Sequence, residues 1–232
     1  MSEGLYWLAQ NLSEMPESDD WLSEGERLRV AEMRFPKRLN DFKLGRWTAK
    51  RAICAYLKNS IPRDSLLDIR ASADGSPDPY YDDKPGNFSL SISHSNRRSL
   101  CAVGPRDLRI GCDLELIESR AYDFLADYFT PEELAFVKQN SFCAPTQAGM
   151  LIWSSKESAL KVLREGLRRD TRSILIQPDF DAREGNWSPW TGRCLETSQI
   201  FHGWWRVSDN FVYTIAADRP SSPPIKLRIQ SK

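Results

Sequence analysis

Hydrophobic and polar residues alternate with two different periods along this chain of 232 residues. The apolar run Leu5-Tyr6-Trp7-Leu8 predicts a short strand, and an acidic, turn-rich stretch from Met15-Pro16 to Asp20 follows it. Ser23 with Glu26 three residues on fits a capping box, so a helix is expected from Ser23, broken by Pro36. A second helix is expected over residues 39–57, where Phe42, Ala49, Ile53 and Leu57 recur at helical spacing. Its basic positions Lys43, Arg46 and Lys50 fall three and four apart. Residues 73–77 and 84–87 are rich in Gly, Pro, Asp and Asn and read as turns and irregular loop. Residues 88–94 alternate as a strand does, His94-Ser95-Asn96 reads as a turn, and residues 99–103 complete a hairpin. The stretch Gly104-Pro105-Arg106-Asp107 reads as a seam.

Beyond the seam, alternation over residues 109–117 places Asp113 and Glu115 on one face of a strand, with Cys112, Leu114 and Leu116 on the other. Residues 153–161 predict a helix that Ser154 would cap, with Trp153, Glu157 and Lys161 sharing a face because they are four apart. Strands are expected at 173–176, 203–207 and 211–217, and an edge strand at 225–229. The second half replays the first: Trp47-Thr48-Ala49-Lys50 and Trp153-Ser154-Ser155-Lys156 differ by 153 − 47 = 106 positions. The same shift lays Leu8 on Leu114, Glu26 on Glu132 and Leu28 on Leu134. Strand, helix, long helix and antiparallel strands, twice over, define an α+β fold of two similar lobes, residues 1–104 and 105–232.

Composition narrows the function. Lys and Arg number 32 and Asp and Glu 32, so no bulk field draws the chain to nucleic acid or membrane, and an anionic ligand needs a local basic cluster. The 5 cysteines include no Cys-x-x-Cys pair, which points to reduced thiols in a cytoplasm rather than to a disulfide framework or zinc. No apolar run approaches the ~20 residues of a membrane span. The 2 histidines, His94 and His202, lie near no nucleophile-elbow pattern, which counts against a Ser-His-Asp hydrolase.

The chemistry concentrates in two stretches. Asp113 and Glu115 on a strand and Glu157 on a helix offer hard oxygens of the kind magnesium takes while sharing itself with a substrate phosphate, and Lys161 suits a phosphate oxygen. Gly111-Cys112-Asp113-Leu114-Glu115 followed by Trp153-Ser154-Ser155-Lys156-Glu157-Ser158-Ala159-Leu160-Lys161 resembles the paired signature of the Sfp-type 4'-phosphopantetheinyl transferases. The resemblance extends more loosely over nearly the whole chain. It implies two pseudo-twofold-related α+β lobes with the cofactor cleft between them. The implied reaction moves the 4'-phosphopantetheine arm of coenzyme A to a serine of an apo acyl or peptidyl carrier protein and releases 3',5'-ADP.

On the same resemblance Asp113, Glu115 and Glu157 bind Mg2+, with Mn2+ as an alternative, and Lys161 stabilises charge on the departing group. The serine proton goes to Glu157 or to a water held by the metal and Glu115. Ser93 and His94 lie along the cofactor, Lys156 lines the cleft, and Arg46 and Lys50 belong to a first-lobe helix, with Arg46 offering its fork to the 3'-phosphate. The chain departs from the family at Gly75-Ser76-Pro77, where many members have Gly-Lys-Pro, and Lys84 or Arg46 are the candidates to replace that lysine. Phe124, Leu125, Tyr128 and Phe129 are candidates for carrier-protein docking, and Arg164, Arg168 and Arg169 for steering an acidic partner. A monomer holding both lobes suffices for such a site. The competing class, a module binding nucleotide or nucleic acid through its basic stripes, would show salt-steep retention on heparin instead of magnesium-dependent coenzyme A affinity.

Overall fold

The computed structural model describes residues 4–58, 64–119, 122–180 and 186–229, and the chain divides into two compact units, Met1–Leu108 with Ile225–Lys232, and Arg109–Pro224.

In the first unit β1 (Tyr6–Asn11) leads to α1 (Glu24–Ala31) and α2 (Pro36–Tyr56). The capping box at the start of α1 forms as its spacing predicts: Ser23 Oγ accepts from Glu26 N at 3.1 Å while Ser23 N donates to Glu26 Oε2 at 3.0 Å. Pro36 does not break a helix. It opens α2 from the first turn, where a missing N–H costs nothing, after α1 has already ended at Ala31. Next come β2 (Leu67–Ala71), β3 (Pro77–Tyr81), β4 (Lys84–Pro85), β5 (Phe88–Ser95) and β6 (Arg98–Pro105).

Strands β2, β3 and β4 form a three-stranded sheet in a region whose composition reads as loop. The prolines that mislead, Pro77 and Pro79, lie where β3 pairs with β2 alone, because β4 reaches only Tyr80 and Tyr81. The hairpin of β5 and β6 forms as expected, with Phe88 opposite Pro105 and Ser95 opposite Arg98. It joins β1 in a sheet whose far edge is a final strand near the C-terminus, Ile225–Lys226, parallel to β1. Ala49, Ala52 and Ile53 of α2 pack with Leu8, Leu90, Cys101 and Val103 in this unit's core.

The second unit repeats the plan. Strand β7 (Ile110–Leu116) precedes α3 (Tyr122–Tyr128), α4 (Pro131–Gln139) and α5 (Pro145–Leu163), followed by β8 (Ile174–Pro178), β9 (Ser188–Cys194), β10 (Ile200–Ser208) and β11 (Phe211–Ala217). We number the last strand, Ile225–Lys226, β12. The five strands of the second unit lie in the order β7-β11-β10-β9-β8, every neighbour antiparallel. Helix α5 starts nine residues before Ser154, with Ala144 at its cap. Ser154 therefore does not cap: it sits buried in mid-helix, its Oγ 2.9 Å from Thr214 Oγ1. Strand β9 has no counterpart in the sequence reading.

The internal repeat runs deeper than the matched tryptophans. Thr130 and Glu133 form a second capping box, with Thr130 N donating to Glu133 Oε2 at 2.8 Å, so the true counterpart of Glu26 is Glu133 rather than Glu132. Each of these glutamates also accepts a strand amide, Ile69 N on Glu26 Oε1 at 3.3 Å and Ile176 N on Glu133 Oε1 at 2.9 Å. Each is paired with a buried lysine from the long helix, Lys50 and Lys156 respectively.

Candidate active site

A glycine sets the distance between strand and helix in the second unit. At Gly111 a Cβ would lie 1.9 Å from the Ser158 carbonyl oxygen and 3.0 Å from Lys161 Cβ, so only glycine lets α5 lie directly on β7. Side chains two apart on a strand share a face, so Gly111, Asp113 and Glu115 all look toward α5. Behind them Thr214, opposite Asp113 on β11, bonds Ser154 and Ser158, its Oγ1 2.6 Å from Ser158 Oγ. This buried hydroxyl seam holds the helix to the sheet while meeting the hydrogen-bonding needs of its own members.

The face predicted for α5 meets that strand. Lys161 Nζ donates to Asp113 Oδ1 at 2.8 Å and to the Cys112 carbonyl at 2.9 Å. Trp153 Nε1 donates to Glu115 Oε1 at 3.0 Å. Between them in the helix, Glu157 is pushed up to about 7, first by burial and then by the negative charges of Asp113 and Glu115, with Lys161 pulling the other way. Burial works against the Lys161 ammonium, yet Asp113 and Glu157 outweigh it and raise its pKa.

Among the described residues no three His, Cys, Asp or Glu side chains form a ready-made cluster for a metal ion. The expectation that the acidic groups converge on one ion is thus not realised as a finished cage; Lys161 and Trp153 hold two of the three carboxylates. The donor set nevertheless fits a hard cation in its chemistry. Burial first, and then the charges of Asp113 and Glu115, disfavour a third negative charge on Glu157, and a divalent ion bound there would offset both.

The pH dependence follows in sign. Glu157 in the folded protein takes up its proton at about 7, above its ordinary 4.5, so the folded state binds protons in excess between these values. Stability of the metal-free protein should therefore fall as pH rises from about 4.5 to 7, and Glu157→Gln should flatten that slope in denaturant titrations. An unchanged slope in the variant would place the titration elsewhere.

The first unit brings together a second set. A cavity of about 740 Å³ is lined by Arg46, Gly75, Pro77 and His94, and also by Arg29, Lys37 and Arg38. Arg46 lies over the Phe42 ring at 4.6 Å, with its Nε 3.8 Å from Glu26 Oε1. Burial lowers the pKa of its guanidinium while Glu26 raises it. Among the described residues Arg46 Nε finds no hydrogen-bond partner. Gly75 supplies the positive φ of 87° for the turn joining β2 to β3. His94 Nδ1 lies 3.8 Å from Asp41 Oδ2.

Other candidate residues lie away from that cavity. Lys50 and Lys156 are fully buried, the first donating to Trp21 O at 2.9 Å and paired with Glu26, the second donating to Thr171 O at 2.8 Å and paired with Glu133. Neither is in the lining of that cavity, because each ammonium serves the interior of its own unit. Ser93 is buried on the face of β5 opposite His94, and Ser76 contributes backbone to the turn, its N–H donating to Asp74 Oδ1 at 2.8 Å, without lining the cavity. Lys84 is exposed on β4 and outside that lining, so Arg46 is the one of the two proposed substitutes found there.

Phe129 is core, while Phe124 and Tyr128 each set a ring 5.1 Å from Trp153, which steadies the indole that holds Glu115. Arg169 is engaged by Glu165 and Glu196, and Arg168 donates to the Arg164 carbonyl at 2.8 Å. Sequence reasoning missed Arg29, Lys37 and Arg38, although the Lys37-Arg38 pair at the start of α2 was a readable signal. It also missed Glu133, which its Thr-x-x-Glu spacing would have revealed.

This strand and helix, with their Gly-x-Asp-x-Glu and Trp-x-x-Lys-Glu patterns, fall within residues 109–216, which match the family model described as the 4'-phosphopantetheinyl transferase superfamily. The second unit is a mixed α+β module, and it is this part of the chain that is similar to that superfamily. Among named proteins, the chain is similar to a 4'-phosphopantetheinyl transferase of Bacillus subtilis, 30% identical over 103 residues. That alignment spans less than half of either protein, 44% of this chain and 45% of the relative. Among the described residues no helix is long and apolar enough to cross a membrane.

Proposed function

We propose that this chain transfers the 4'-phosphopantetheine arm of coenzyme A to a serine of an apo acyl or peptidyl carrier protein, with magnesium, releasing 3',5'-ADP. The observation that carries the reading is the junction of β7 and α5, where Lys161 donates to Asp113 and Trp153 donates to Glu115 on either side of Glu157. Asp113, Glu115 and Glu157 would hold the cation, which when bound neutralises the diphosphate of coenzyme A. Lys161, tethered by Asp113 and the Cys112 carbonyl, presents an ammonium to the oxygen that gains charge as the phosphorus–oxygen bond breaks. Glu157, or a water held by the cation and Glu115, would take the proton of the attacking serine, which belongs to the partner. Trp153 fixes the rotamer of Glu115.

Arg46, Arg29, Lys37 and Arg38 give the first unit's cavity the basic lining that the chain's neutral overall charge does not supply, and they would bind the 3'-phosphate. Replacing Arg46 by Lys keeps the charge but loses the fork and should raise the KM for coenzyme A about tenfold with little change in kcat. A lower kcat at unchanged KM would assign Arg46 to the chemical step instead. The same reading places the chain in a cytoplasm, in keeping with 5 cysteines, an odd number, and no Cys-x-x-Cys pair.

The reading as a whole is tested by incubating apo carrier proteins with coenzyme A and Mg2+ and weighing them. A gain of roughly 340 Da, the mass of the arm, supports it; no gain across fatty-acid, polyketide and peptide carriers rejects it.

A further inference from the structure

Glu26 and Glu133 do the same thing in two places. Lys156 has three N–H donors, and all three are spent inside the second unit, on Glu133 Oε2 at 2.8 Å, on Thr171 O at 2.8 Å and on Ile174 O. Glu133 in turn caps α4 through Thr130 N and accepts Ile176 N from β8 at 2.9 Å. One carboxylate therefore ties the start of α4, the middle of α5 and the first residues of β8. The next residue on α5 is Glu157, about 100° further around the helix. Fixing the rotation of α5 at Lys156 fixes where the Glu157 carboxylate points.

In the first unit Glu26 caps α1, accepts Ile69 N from β2 at 3.3 Å and pairs with Lys50 at 2.6 Å. Lys50 and Arg46 are four residues apart on one face of α2, and the same Glu26 stands 3.8 Å from Arg46 Nε. The brace is shared, but the residue it serves is not. At the position matching Glu157, 157 − 106 = 51, the first unit carries Arg51, and at that matching Asp113, 113 − 106 = 7, it carries Trp7.

We propose that each buried Glu–Lys pair is a positioning brace for a different half of the chemistry: Lys156 and Glu133 aim Glu157 at the cation, and Lys50 and Glu26 aim Arg46 at the cofactor's phosphate. The inference rests on the transferase reading for the identity of the two ligands. A buried pair removed as a whole leaves no unpartnered charge behind, so a paired replacement separates positioning from folding.

The experiment compares Glu133→Gln/Lys156→Met with Glu26→Gln/Lys50→Met in the full chain by calorimetry. Two quantities are read: the Mg2+ concentration that half-saturates at fixed coenzyme A, and the affinity for coenzyme A at saturating Mg2+. In the second-unit double variant the Mg2+ requirement is expected to rise about 10-fold to 100-fold, as for other partners that orient metal ligands, with coenzyme A affinity within about twofold. In the first-unit double variant the pattern reverses. Should a double variant fail to fold, Glu133→Gln/Lys156→Gln or Glu26→Gln/Lys50→Gln, in which amides replace both charges and keep polar atoms for the main-chain partners, is read the same way. Loss of both affinities together, or of neither, in both variants overturns the brace and leaves the transferase reading standing. Wild-type protein that binds neither ligand overturns that reading and this inference with it.

Discussion

Asp113→Asn should lower transfer of the arm to a carrier protein on the order of 10³-fold, the loss that follows when a group stabilising developing charge is removed. Asparagine keeps the size of the side chain and one acceptor oxygen for Lys161, which donates to Asp113 Oδ1 at 2.8 Å, so the fold should survive. What disappears is the negative charge that Lys161 balances and that helps raise Glu157. Two measurements separate the effects. Product mass at saturating coenzyme A and carrier protein reports the chemistry, and the thermal midpoint reports the fold. A variant that folds normally yet keeps activity within about tenfold of the parent would remove Asp113 from the proposed cation site.

Gly111→Ala should strongly destabilise the second unit. The added carbon would stand 1.9 Å from a main-chain oxygen, that of Ser158, and backbone cannot swing aside as a side-chain tip can. Helix α5 must move off β7, loosening the Ser154, Ser158 and Thr214 seam behind it. Overpacking of this kind costs about 3 kcal/mol, which for a chain of this size lowers the thermal midpoint by roughly 10 °C. Because Lys161 rides on the same turn of helix as Ser158, activity at low temperature should fall as well. A variant as stable as the parent would show that the helix has room to spare and that Gly111 does not set the spacing.

These two expectations come from different kinds of information. Asp113, Glu115, Glu157 and Lys161 are legible in the chain because strand and helix periods put them on predictable faces, and the structure does turn those faces toward each other. Gly111 is legible only as a letter of a motif. Its reason, the Ser158 carbonyl, lies 47 residues further along and is a contact between elements that no local pattern encodes. Lys50 and Lys156 show the reverse failure. A basic residue on a helix looks like a ligand contact or a wet face, and only the fold reveals the buried glutamate that neutralises each one. Strand β3 was hidden for a simpler reason, since its prolines argue against a strand unless one edge is known to be largely unpaired.

The linear order of residues by itself determined the α+β plan, its repetition at a spacing of about 106, and the acidic and basic side chains of the candidate chemistry, because periodicity and capping are properties of neighbours in the chain. The tertiary structure alone decided which lysines are spent in the interior, which arginines gather around one cavity, and how closely a helix approaches a strand. Those outcomes depend on desolvation and steric contact between residues far apart in sequence, and such quantities exist only once the chain has folded.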